Sequence, residues 1–204
     1  MKAMIIPGNG NTDISENWFP YVKEELEKIG INVIAENMPD PDLARKEYWL
    51  SFIEKKLGRD EEAILVGHSS GTVAILRYLE THKIKGAILV GSYYTHLGDE
   101  KEKESGYFDT EWQWNKIKEN SDWIVIFAST DDPYIPIKEA RYIRDKLDAE
   151  YYEYDDEGHF GSDVNKLKFP EIIQIISSKL KKSSISFFSL PDRHIIDNNK
   201  YSRI

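Results

Sequence analysis

The stretch Leu65–Leu76, "LVGHSSGTVAIL", decides the fold. An apolar run reaches Gly67, a serine stands at position 69, and Gly71 opens a second apolar run. A strand that ends in Gly-x-Ser-x-Gly and turns at once into a helix holds its serine on a sharp apex. Side chains two residues before and after that apex would collide, and glycine removes them. The following helix then points its first backbone N–H groups at whatever the serine attacks. Ser69 is therefore a candidate nucleophile. Ser70 is the weaker one, because His68 and not glycine stands two residues before it. By itself the pattern is equally an ordinary Gly/Ser turn. The choice rests on what surrounds it.

Six short runs read as strands: "AMIIP" from Ala3, "INVIAENM" from Ile31, "AILVG" from Ala63, "GAILVGS" from Gly86, "WIVIFAST" from Trp123 and "EYYEYD" from Glu150. The second and last alternate apolar with polar, as half-exposed edge strands do. The other four are nearly continuous apolar runs, as strands covered on both faces are. Helical patterns separate the runs. One ends at Gly30. A second is expected to start at an N-cap, Asp42, and to stop at Gly58. The alternation predicts an α/β protein with a mostly parallel six-stranded sheet and helices on both faces.

Two segments break the alternation. The insert Tyr93–Asn120 is charged and aromatic, with Tyr107, Phe108, Trp112 and Trp114. Those rings either wall a small pocket or pack against the body, and packing is the more common fate of aromatics. The other segment is 183–204, Ser- and Asn-rich without a clear period. It is expected to be a disordered or loosely packed tail beyond a single folded domain, 1–182.

The totals exclude several function classes. The chain has 204 residues, 40% hydrophobic and 31% charged, and a net charge of −9. So acidic a chain is a poor binder of nucleic-acid phosphates. Cysteine is absent, which removes disulfides, thiolate metal sites and cysteine nucleophiles. The loop "PGNGN", Pro7–Asn11, has neither the G-x-G-x-x-G spacing nor the P-loop lysine, so no nucleotide cofactor is expected, and no metal. The apolar start "MKAMII" is too short for a signal peptide or a membrane span and breaks at Pro7. No later segment is long enough to span, and a cytoplasmic protein with no membrane partner is expected.

A nucleophilic serine needs a base. Of the five histidines, His68 adjoins the serine and is expected to point away from it. His82 ends a helix, His96 lies in the insert and His194 in the tail. His159 lies in "DDEGHFG", just after the last strand, and sites in parallel sheets form at the carboxyl ends of strands. The base in turn needs an acid to fix its tautomer. "STDDPYIP" after the fifth strand offers Asp131 and Asp132, with Asp132 preferred for its spacing to the prolines. Asp155 and Asp156, in the histidine's own loop, are the fallback. The order Ser69, Asp132, His159 is that of an α/β-hydrolase. An oxyanion hole would then use the backbone N–H groups of Ser70 and of Asn9, in the glycine-rich loop after the first strand.

"PGNG", "NMPDP", "GHSSGT", "RYLETH", "LGDE", "SGYF", "WQW", "KIK", "STDDP" and "GHF" follow one another in this order. In these motifs the chain resembles the retinoblastoma-binding protein 9 family of serine hydrolases, over Met1 to Lys182. The resemblance implies a compact α/β-hydrolase fold without the first two strands of the full version. It also implies a triad on Ser69, Asp132 and His159. The family takes its name from an L-x-C-x-E stretch proposed to bind retinoblastoma-type pocket proteins. Here that stretch is Leu57-Gly58-Arg59-Asp60-Glu61. A long cation at Arg59 fits a small cysteine subsite poorly, so a pocket-protein partner is not expected. Two functions remain: hydrolysis of small carboxylic esters or amides, aminoacyl esters among them, or a non-catalytic interaction module that keeps the fold.

Overall fold

The computed structural model describes residues 1–186. Six strands form one sheet: β1 (Lys2–Ile6), β2 (Asn32–Ala35), β3 (Ile64–His68), β4 (Ile84–Val90), β5 (Ser121–Ser129) and β6 (Glu150–Tyr154). Their order is β2-β1-β3-β4-β5-β6, and every neighbouring pair is parallel. The alternating runs β2 and β6 are the two edges, as their polar residues predict. The continuous runs are the interior strands.

Successive residues of the interior strands face opposite ways, and each face has its own core. Met4, Ile6, Leu65, Ala87, Leu89 and Ile126 meet the helices α2 (Lys46–Leu57), α3 (Ser70–Leu79), α5 (Trp114–Glu119) and α6 (Ile137–Leu147). Ile5, Val66, Ile88, Val90, Val125 and Phe127 meet α1 (Phe19–Lys28) and α7 (Pro170–Ser186). Buried on both sides, these strands have no face to give to water, which is why their sequences carry almost no polar residue.

One expectation about the helices needs revision. The second helix begins at Lys46, not at an Asp42 cap. The chain first turns through left-handed residues at Asp40 (φ 50°) and Ala44 (φ 56°), which a right-handed helix cannot include. Asp40 binds the Arg45 side chain and backbone N–H there, while Asp42 pairs with Lys101 at 2.8 Å. The insert holds α5 and a short helix, α4 (Glu100–Glu104), capped by the Asp99 carboxylate on the Glu102 N–H.

The insert is fastened from below. Arg77 on α3 is buried; it donates to the carbonyls of Tyr107 (2.8 Å) and Thr110 (2.7 Å), pairs with Glu80 and lies 3.6 Å from the Trp112 ring centroid. Tyr107 is buried, and Phe108, Trp112 and Trp114 pack against the same core. These aromatics are packing, not pocket walls. At the other end of the chain, α7 runs past Lys182 to Ser186. Residues 187–204, which carry most of the expected tail and His194, lie outside the described residues.

Candidate active site

Because all six strands are parallel, the loops after β1, β3, β5 and β6 emerge on one edge, where sites of such sheets form. Ser69 sits between β3 and α3 with φ 52° and ψ −123°. A non-glycine residue held there costs on the order of 1–3 kcal/mol and persists only where its surroundings enforce it. The Ser69 N–H donates to the Val90 carbonyl (2.9 Å), and its carbonyl accepts from the Thr72 N–H (2.8 Å) and Oγ1 (2.7 Å). The two glycines are required by contact. A Cβ on Gly67 would stand 2.8 Å from the Gly71 carbonyl, and one on Gly71 would run into the Ile6 carbonyl oxygen.

The β5–β6 ladder ends with Ser129 opposite Tyr154. The loops that leave those two ends carry Asp132 and His159, and the ladder brings them side by side. His159 Nδ1 lies 2.8 Å from Asp132 Oδ2, with side chains 12% and 3% exposed. The other Asp132 oxygen accepts from the N–H groups of Tyr134 (2.9 Å) and Ile135 (3.0 Å), so one carboxylate both shapes its loop and holds the histidine. Asp131 faces elsewhere: it accepts from Ser129 Oγ (2.5 Å) and the Gly158 N–H (2.9 Å). The Ser129 hydroxyl, first, holds its carboxyl below the ordinary value. Asp155 and Asp156 are exposed.

The histidine loop is fixed from behind. The His159 N–H donates to Asp163 (2.6 Å), and buried Phe160 stacks on Phe169 while its carbonyl accepts from Trp18 Nε1 (2.9 Å). Three further neighbours of His159 escaped the sequence reading. Gly91, at φ 61°, leaves the room the ring occupies; a Cβ there would stand 3.1 Å from His159 Cε1. Its sequence signal is faint: a glycine directly after a buried strand. Tyr134, 65% exposed, meets the His159 ring edge-on at 5.1 Å. The third is His68. Its ring lies 4.8 Å from that of His159 and its Nε2 is 2.7 Å from the His159 carbonyl. Burial, and then the neighbouring His159, push the His68 imidazole down to about 3. It is neutral and donates through Nε2.

On the opposite wall the loop after β1 passes close to the elbow: a Cβ on Gly8 would lie 3.1 Å from Ser69 Cβ. Asn9 follows, with its side-chain amide nitrogen donating to Glu102 Oε1 (2.8 Å). Ser70 opens α3, where an N–H has no partner within the helix. Between the walls lies a cleft of about 680 Å³ onto which Asn9, Ser69, Glu102, Tyr134 and His159 all open. Among the described residues no group of three or more His, Asp or Glu side chains is arranged to hold a metal ion, and no helix is long and apolar enough to cross a membrane.

A family model described as "Serine hydrolase" matches residues 3–178. The chain belongs to the serine hydrolase family. The rat (Rattus norvegicus) serine hydrolase RBBP9 is 47% identical over 181 residues, which are 88% of this chain and 95% of that one. The resemblance seen in the sequence motifs therefore holds across nearly the whole length. The ydeN gene product of Bacillus subtilis is 31% identical over 180 residues, 83% of this chain and 92% of its own. Its crystal structure superposes with a TM-score of 0.81, covering 88% of this chain and 98% of that one. Est1E from Butyrivibrio proteoclasticus, 14% identical, has a TM-score of 0.66 over 91% of this chain and 89% of its own, a likeness of fold alone. This serine hydrolase thus has the compact α/β-hydrolase fold. Its cleft gathers a strained serine and a carboxylate-held histidine.

Proposed function

We propose that the protein cleaves small carboxylic esters or amides through an acyl-enzyme. Ser69 Oγ forms a bond to the substrate carbonyl carbon while its proton passes to His159 Nε2. The carbonyl π electrons move onto oxygen, and the resulting oxyanion is held by the Asn9 and Ser70 N–H groups. The bond to the leaving group then breaks, and His159 returns the proton to the departing oxygen or nitrogen. Water repeats the cycle: it loses a proton to His159, attacks the acyl carbon and releases the acid, and Ser69 Oγ regains its proton. Asp132 fixes the Nδ1–H tautomer and stabilises the imidazolium without taking the proton.

The observation that carries this reading is the 2.8 Å contact between His159 Nδ1 and Asp132 Oδ2 beside a serine at φ 52° on the same cleft. The interaction module is the weaker alternative. Leu57 is 2% exposed in the core, and Arg59 stands where the pocket-binding stretch needs cysteine. A fluorophosphonate probe tests the proposal. Wild type is expected to be labelled and to hydrolyse small esters, and Ser69→Ala to do neither while keeping its melting temperature. An unlabelled, inactive wild type, or an active Ser69→Ala, would overturn it.

A further inference from the structure

Glu102 lies on α4, in the insert, far in sequence from every triad residue. It is 9% exposed and opens on the cleft. A carboxylate so placed carries a desolvation cost and needs a reason to be there. Burial, above all, raises its carboxyl above the ordinary value. Each of its oxygens is used. Oε1 accepts from Asn9 Nδ2 at 2.8 Å. Oε2 accepts from the buried Tyr93 hydroxyl at 2.8 Å, and that hydroxyl lies 2.9 Å from Ser70 Oγ, which donates to it. One side chain therefore grips both residues whose backbone N–H groups face the developing oxyanion, through three hydrogen bonds.

Resting on the mechanism proposed above, we infer that Glu102 is a positioning residue for the oxyanion hole, setting Asn9 and Ser70 at one fixed separation through Asn9 Nδ2 and the Tyr93 hydroxyl. The two amides come from different loops, after β1 and after β3, and β1–β3 pairing ends at Ile6 and Gly67. Past those residues no strand pairing sets their spacing; the two loops touch at Gly8 and Ser69, and the Glu102 bridge ties Asn9 to Ser70. Amides aimed where charge develops act in the transition state more than in the ground state, so their misplacement lowers kcat with little change in KM.

The experiment is steady-state hydrolysis of a small p-nitrophenyl ester, with inhibition by an alkyl boronic acid. Ser69 Oγ adds to such a boron atom, giving a tetrahedral anion with an oxygen in the hole and the serine proton on His159. Glu102→Ala is expected to lower kcat by about 10- to 100-fold and weaken boronate inhibition in parallel, with KM within about three-fold. Glu102→Gln is expected to recover most of that loss. Its carbonyl can accept from Asn9, and its amide can donate to Tyr93 while Tyr93 donates to Ser70. A Glu102→Ala enzyme with unchanged kcat, a loss confined to KM, or no recovery in Glu102→Gln would overturn the inference. If Glu102→Ala does not fold, Tyr93→Phe, which deletes one oxygen, is held to the same kcat, KM and boronate criteria, and unchanged values overturn it. A wild type without Ser69-dependent turnover overturns the mechanism and this inference together. Ser69-dependent turnover with a normal Glu102→Ala overturns the inference alone.

Discussion

On one wall of the cleft Asp132 and His159 touch directly, each a few residues beyond the end of one of two paired strands. On the other, Asn9 and Ser70 are joined only through Glu102 and Tyr93, which enter from an insert between β4 and β5. The first wall is made by the sheet itself. Parallel neighbours deliver their loops to one edge, so acid and base need only the right spacing after their strands. The second wall depends on a helix of five residues docked over the site. What the sheet does by register, the insert does by buried side-chain hydrogen bonds. The first wall should thus fail sharply at single atoms of the triad, and the second by degrees.

The sharpest test of the first wall compares its two adjacent carboxylates. Asp132→Asn keeps an oxygen for the Tyr134 and Ile135 N–H groups but presents an NH₂ to His159 Nδ1. That favours the wrong tautomer, and a kcat loss of about 10³- to 10⁴-fold is expected. Asp131→Asn leaves an oxygen that still accepts from Ser129 Oγ and the Gly158 N–H, so its loss should stay within about three-fold. Ester hydrolysis by the two variants decides the matter: equal losses, or the larger at Asp131, would exchange their roles.

The difference between the walls is also a difference in what could be read. The placing of Ser69, Asp132 and His159 on one edge was legible because each follows a strand, and strand ends can be located from apolar runs. The elbow glycines were legible because the clash they relieve is local, between residues at positions 67 and 71. Glu102 and Tyr93 were not legible. "EKEKE" is charged throughout, and nothing in it separates the residue that turns inward from those that remain in water. The docking of the insert makes that choice, with Asn9 and Tyr93 receiving the Glu102 carboxylate. The packing of His68 against His159 was not legible for the same reason: it depends on the His159 carbonyl, 91 residues away. Among the helices, the start of α2 was misplaced because Asp42 has the side chain of a cap. The left-handed turn at Ala44, which delays the helix, has no residue type to announce it.

His68 gives a pH test that bears on the first wall from behind. Its folded value of about 3 lies well below the ordinary imidazole value of about 6.5. The unfolded chain therefore binds the proton more readily, and stability must fall as pH drops from about 6.5 toward 3. Above about 6.5 both states are neutral and the effect vanishes. His68→Gln keeps a donor for the His159 carbonyl but has no proton to gain. Thermal melts at pH 7 and pH 4.5 should show a wild-type loss on the order of a few kcal/mol, part of which is absent in His68→Gln. An identical acid-side loss in the variant would show that His68 is already accessible to protons in the folded state.

The smallest effect concerns substrate charge, and it probes the rim that the insert lends to the second wall. The cleft is lined by the carboxylates of Glu16, Asp42, Asp99, Glu102 and Asp163 against one ammonium, Lys101, which Asp42 already holds at 2.8 Å. Such a rim concentrates cationic substrates and repels anionic ones. Aminoacyl esters with a free amine should therefore be cleaved faster than their N-succinylated counterparts, by about ten-fold or less, since most of these charges face water. The preference should shrink between about 10 mM and 500 mM salt, because the screening length falls from about 30 Å to under 10 Å over that range. Asp99 is the less clean site for this purpose, since its carboxylate also caps α4. Glu16→Gln changes the charge without touching the insert, and should narrow the free-amine preference in kcat/KM while leaving an uncharged acyl ester unaffected. Faster cleavage of the succinylated series at low salt would mean that the rim charge does not reach the bound substrate.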